Sequence, residues 1–145
     1  LMLALAATVA VGISVIAAEA WGTDYAAAQA QAKKEGKAIL IDFTGSDWCG
    51  WCIKMKKESL DQKAFTDFAA KNVVLVEVDF PNKKALPEAT KKQNNDLKKQ
   101  YKVNGFPTFV LIDADGKELG RQVGYLKGGP DAFIAKIGEW KKASK

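Results

Sequence analysis

The chain has 145 residues at 15.7 kDa, 48% of them hydrophobic and 27% charged, which fits one folded domain and excludes a mainly disordered or fibrous chain. It contains no histidine, so Ser-His-Asp and Cys-His catalysis and zinc sites built on imidazole are excluded, and two cysteines carry most of the chemical information. The formal charge is +5, and +6 from residue 21 onward, where 22 basic residues meet 16 acids; such a surface suits acidic partners or anionic headgroups, but its lysines lack the aromatic interleaving of nucleic-acid platforms, so nucleic acid is not an expected partner.

Leu1 to Ala18 is apolar or small throughout and uncharged, and Ala18-Glu19-Ala20 stands just before Trp21. The segment 1–20 therefore reads as a secretory leader with an A-x-A cleavage site, or as an uncleaved membrane anchor, ahead of a single domain over 21–145. Either reading places that domain outside the cytoplasm, periplasmic or extracellular, with a membrane attachment only through an uncleaved leader.

From Asp24 to Glu35 the alanine-rich run predicts a helix, with Thr23 or Asp24 as its cap and Gly36 as its stop. Ala38 to Phe43 is rich in β-branched and large apolar residues and predicts a strand covered on both faces. After the polar break Thr44-Gly45-Ser46-Asp47, a helix is expected from Cys49 to about Leu60, and a second from Gln62 to Lys71, with Asp61 as its cap and Phe65, Phe68 and Ala69 on one face. Val73 to Phe80 alternates as a strand, with Val74, Val76 and Val78 on one side and Val73, Leu75 and Glu77 on the other, and Pro81 ends it. The lysine-rich stretch 82–102 has its best helical part from Asn94 to Tyr101. It reads as a solvated helix face; the sharper alternative, docking to an acidic partner or to lipid headgroups, predicts binding that falls steeply with salt. Thr108 to Ile112 and Glu118 to Val123 form a hairpin across Asp115-Gly116, and this turn accounts for Asp113 and Asp115 better than calcium does, because the glycine is out of step with an EF-hand and no Glu closes the loop. Pro130 to Lys142 is a final amphipathic helix presenting Phe133, Ile137 and Trp140.

Trp48-Cys49-Gly50-Trp51-Cys52 puts two thiols three residues apart at a strand-to-helix junction. Positions i and i+3 share a helix face, so the pair can form a disulfide with little backbone movement. Open N–H groups at a helix start stabilise an anion, which makes Cys49 the nucleophile and leaves Cys52, one turn in, to attack the mixed disulfide formed with a client. A structural bridge over so short a loop would restrain little, a zinc site would want four ligands, and covalent haem would need a histidine where Ile53 stands.

These residues, with Ile41-Asp42-Phe43, Gly105-Phe106-Pro107-Thr108 ahead of a strand and Val123-Gly124 ahead of the last helix, resemble the thioredoxin-like superfamily, and among its members exported proteins of the thiol:disulfide interchange type. The resemblance covers about residues 36–142. It implies an α/β thioredoxin fold, a central mixed sheet flanked by helices, with Cys49 attacking, Cys52 resolving and Pro107 in cis facing the disulfide. It also implies that Asp42 is the buried acid that takes a proton from the resolving thiol, a role that a raised pKa suits. Trp48, Trp51, Phe106 and Pro107 are then the client-binding surface, two indoles beside a reactive thiol offering an apolar landing place.

The chain departs from the family pattern in having one residue more between Asp42 and Cys49, Leu75 and Glu77 where a lysine accompanies the acid, and Trp51 where reducing members have proline and oxidising members commonly have histidine. The expected function is exchange of electrons with protein thiols and disulfides, with a redox partner recycling the dithiol and no bound cofactor or metal. The direction of flow stays open. The rival reading is a module that holds clients or Cu(I) on its thiolates without turnover.

Overall fold

The structure, a computed structural model, describes residues 21–145, so the leader reading falls on residues outside those described. Chain order gives α1 (Tyr25–Glu35), β1 (Ala38–Thr44), α2 (Gly50–Met55) running into a π-helical turn (Lys56–Leu60), α3 (Lys63–Asn72), β2 (Val73–Asp79), α4 (Glu88–Gln100), β3 (Thr108–Ile112), β4 (Glu118–Val123) and α5 (Gly129–Ala143). The strands form one mixed sheet in the order β2-β1-β3-β4, with β1 and β2 parallel and the other pairs antiparallel. Helices on both faces make this the α/β thioredoxin fold.

Local chemistry explains most boundaries. Asp24 caps α1 by accepting the Ala27 N–H at 2.9 Å, and Gly36, at φ 65°, takes the left-handed conformation that closes it. The expected single helix over Cys49–Leu60 instead widens after Met55, where the Asp61 N–H reaches back five residues to the Lys56 carbonyl at 2.9 Å. Asp61 does not cap α3: its carboxylate pairs with Lys56, and Gln62 takes the cap position without a side-chain capping bond. Helix α4 begins six residues earlier than its best sequence signal, at Glu88 behind Pro87, where Lys91–Glu88 and Lys92–Asp96 pairs support the polar turns.

Because β1 and β3 are central and covered on both sides, they are apolar along nearly their whole length. On one face α1 and α4 cover Ile39, Ile41, Phe43, Val76 and Val110. On the other, Leu40, Leu75, Phe109 and Leu111 meet Phe65 of α3 and Phe133 of α5, whose rings lie 5.6 Å apart. The rigid β1 ends at Thr44, and the segment bearing the cysteines follows it directly.

Candidate active site

The turn after β1 is bonded on several sides. Trp48 and Cys49 donate their N–H groups to the Gly45 carbonyl, at 3.2 and 2.9 Å. Asp79, at the end of β2, accepts from both the backbone and the hydroxyl of Ser46. The Trp48 indole N–H donates to the Phe80 carbonyl at 2.7 Å, and the Asp47 carboxylate receives the backbone N–H groups of Asn82, Lys83 and Lys84. These three bonds hold the Asp47 carboxyl below its usual pKa range. A Cβ on Gly45 would fall 2.4 Å from the Trp48 ring, so only glycine permits this approach.

Cys49 caps α2. Its Sγ accepts the Cys52 N–H at 3.2 Å, and the two sulfurs are joined in a disulfide across a Cα separation of 5.2 Å. The backbone that receives a bridging sulfur is therefore the backbone that can solvate a negative one. The two cysteines are covered almost equally, at 6% and 5% exposure. Their difference is one of position: Cys49 stands at the open end of the helix and Cys52 within it.

The structure brings Trp48, Trp51, Phe106 and Pro107 to one place. Trp48 meets Phe106 edge-on at 5.9 Å, and a cavity of about 310 Å³ is lined by Trp51, Phe106, Gly124 and Tyr125. The Phe106–Pro107 peptide is cis, and the Pro107 carbonyl accepts from Gly124 at 2.8 Å. Trp48, Trp51, Ile53 and Val123 are the large hydrophobic side chains left exposed among the described residues, and Trp51 is the most open of the aromatics at 57%. Lys54 lies over both the Trp51 and Tyr125 rings, and the Tyr125 hydroxyl is hydrogen-bonded to Glu58.

Asp42 shares its sheet face with Leu40 and so points toward the layer holding Met55 of α2 and Leu60 of the π-turn. It is buried, and its Oδ1 has no hydrogen-bond partner. Burial first, then the negative charges of Glu77 and Asp79, raise its carboxyl well above the usual range against the pull of Lys56. Glu77 is its register partner on β2 and is itself raised by burial and by Asp79. Glu77 was not among the expected site residues, although it stands where the family pattern has a lysine. The available signal was the alternation Val73, Leu75, Glu77, which puts that carboxylate on the Asp42 face once β1 and β2 pair in parallel. Among the described residues no group of three or more Cys, Asp or Glu is arranged to hold a metal ion.

Comparison with known proteins points the same way as this geometry. The thioredoxin-like domain family matches residues 25–139. The chain is 46% identical over 123 residues to the disulfide bond reductase DsbH of Chlamydia pneumoniae, covering 85% of this chain and 74% of that protein. It is 33% identical over 101 residues to the thioredoxin-related protein DsbJ of the same organism, covering 70% of this chain but 29% of that longer one. A solved DsbH oxidoreductase superposes with a TM-score of 0.81 at 42% identity, over 94% of this chain and 95% of the other. The oxidised C-terminal domain of DsbD from Neisseria meningitidis, at 22% identity and a TM-score of 0.58 over 79% of this chain and 90% of that domain, shares the fold.

Proposed function

This chain belongs to the thioredoxin-like domain family and is a protein thiol-disulfide oxidoreductase, and from that premise we propose that it is an exported reductase of protein disulfides working through Cys49 and Cys52. The observation that carries the assignment of roles is the Cys49 Sγ at the α2 cap, accepting the Cys52 N–H. In the reduced protein the same N–H stabilises a Cys49 thiolate, which ionises more readily than an ordinary cysteine. The thiolate attacks one sulfur of a client disulfide; a Cys49–client bond forms, the client bond breaks, and the second client sulfur leaves as a thiolate. Ionised Asp42 takes the proton of Cys52, whose sulfur attacks Cys49 and expels the client as its dithiol. Two electrons have then moved to the client and the 49–52 disulfide remains, to be reduced by a dithiol partner.

Trp48, Trp51, Phe106 and Pro107 receive the client, an exposed apolar surface beside the reacting sulfur being suited to extended or partly unfolded chains. Export is supported by the apolar, uncharged segment 1–18 and the A-x-A sequence that follows it; N-terminal sequencing of the exported chain should begin at Trp21. The reductive direction is supported by the 46% identity to a disulfide bond reductase. The test is paired: insulin reduction with dithiothreitol, and the equilibrium potential of Cys49–Cys52 against glutathione. Turnover with a potential near −270 mV supports a reductant. A potential near −120 mV would make it an oxidant, and a rate equal to that of dithiothreitol alone would leave only a holding module.

A further inference from the structure

One end of α4 carries a charged groove that the redox chemistry does not use. Asn95, Lys98, Lys99, Lys102, Val103 and Asn104 enclose about 570 Å³. Other lysines of the helix are satisfied, Lys91 by Glu88 at 2.7 Å and Lys92 by Asp96 at 2.6 Å. Among the described residues Lys98, Lys99 and Lys102 form no ion pair, and Asp96, which feels Lys99, already has its carboxylate on Lys92. Three cations thus converge on a concavity that has no acid in its lining.

Two further observations tie this groove to the client. The Lys98 ammonium lies over the rings of Phe106 and Phe80, at 5.4 and 5.6 Å, and the groove wall Val103–Asn104 leads through Gly105 to Phe106–Pro107. Lys102 holds φ 51°, the one non-glycine left-handed residue among those described, at the turn where the Val103 N–H bonds back to the Lys98 carbonyl. Glycine suits such a helix end without steric cost, so a lysine here trades backbone comfort for a cation in the groove.

We infer that this groove binds acidic side chains of the client segment that lies on Phe106–Pro107, making proteins with Asp or Glu near the reacting cysteine the substrates of choice. The inference rests on the oxidoreductase reading and names its substrate class. An extended client advances about 3.3 Å per residue, so with three residues between Lys102 and Phe106 the selected acids lie about three to four positions from the client cysteine, on one flank.

The test uses the reduced protein and short extended peptides with one central cysteine held as a mixed disulfide with 2-mercaptoethanol. Asp-Glu, Ser-Ser or Lys-Lys stands three and four positions away on either flank. Attack by Cys49 and resolution by Cys52 release peptide thiol and mercaptoethanol and leave the 49–52 disulfide, so the exchange is complete without another reactant. The ratio of kcat/KM for the Asp-Glu over the Lys-Lys peptide should be about tenfold at low salt, the effect of two or three exposed ion pairs, and should shrink toward one in 0.5 M salt, where the Debye length is only a few ångströms. Lys99→Glu with Lys102→Glu should invert the ratio. Lys102→Gly, which suits the left-handed turn and so keeps the fold, should lower it. Equal rates for both peptides, or a ratio unchanged in these variants, overturns the assignment of the groove. So does binding to anionic phospholipid vesicles that is lost in the variants while the peptide ratio stays put, an outcome that gives the groove to lipid. If no peptide is reduced at all, the redox reading of Cys49 and Cys52 falls first and takes the substrate class with it.

Discussion

Replacing Asp42 by Asn tests the buried acid through its effect on stability. Asp42 is 6% exposed, its Oδ1 lacks a partner, and Glu77 faces it in register from β2, with Asp79 beyond and Lys56 of the π-turn as the opposing cation. In the unfolded chain its carboxyl ionises at about 3.9; in the folded protein it keeps its proton to higher pH. The folded state therefore binds more protons across that window. Its stability is greatest below the unfolded value and falls as pH rises, by about 1.4 kcal/mol per unit for one proton, until Asp42 ionises in the folded state. Asparagine has no such titration. It leaves a buried amide with an offset of about 1–3 kcal/mol, but this offset is the same at every pH.

The diagnostic quantity is therefore a slope. Guanidinium unfolding of the oxidised proteins between pH 5 and 8, followed by tryptophan fluorescence, should show the stability of Asp42→Asn rising relative to the parent as pH increases, and then levelling. Glu77→Gln removes a negative neighbour and should move the levelling point to lower pH, because the folded Asp42 then ionises sooner. A difference between parent and Asp42→Asn that does not change with pH would refute the argument, since it would mean that Asp42 is ionised alike in both states.

Cys52→Ser should accumulate mixed disulfides with exported proteins, visible on non-reducing gels, while Cys49→Ser should not; equal trapping would show the two roles to be misassigned. Phe133 is fully buried and meets the rings of Phe65, Phe109 and Trp140, so Phe133→Ala should cost about 3–5 kcal/mol in denaturant unfolding, and a loss under 1 kcal/mol would mean that this face is not the core. A Cβ on Gly120 would fall 2.2 Å from the Trp140 ring, so Gly120→Ala must displace α5 or the indole; about 1–3 kcal/mol is expected, with an altered tryptophan spectrum, and a spectrum and stability identical to the parent would count against this packing.

What the sequence revealed of this molecule depended on range. Ala38–Phe43 was legible as a strand covered on both faces because all its residues but Asp42 are apolar, Thr108–Ile112 as one strand of a hairpin, and the Asp115-Gly116 turn because its backbone needs glycine at φ 94°. The π-turn over Lys56–Leu60 was not legible: Lys-Lys-Glu-Ser-Leu suits an ordinary helix, and the wider turn puts Ser59 and Leu60 inside the protein. Asp61 looked like a cap because the sequence does not show that Lys56 is within reach. Glu77 belonged to no motif, and it joined the site only through a strand partner far away in the chain.

The site itself follows from two environments set on one short helix. At its cap, backbone N–H groups favour negative charge on the sulfur of Cys49, and that effect is local, readable from a cysteine at a strand-to-helix junction. On the inner side, α2 covers the sheet face bearing Asp42 and Glu77, where low dielectric and like charges resist a further anion. A negative sulfur is thus cheap at the entrance and costly within, unless a proton is first taken by Asp42 and a bond to Cys49 then formed. In the mechanism we propose, that gradient gives the exchange its order, attack from outside and release from inside. It also makes Glu77, in place of a lysine, a neighbour that raises the basicity of the Asp42 carboxylate.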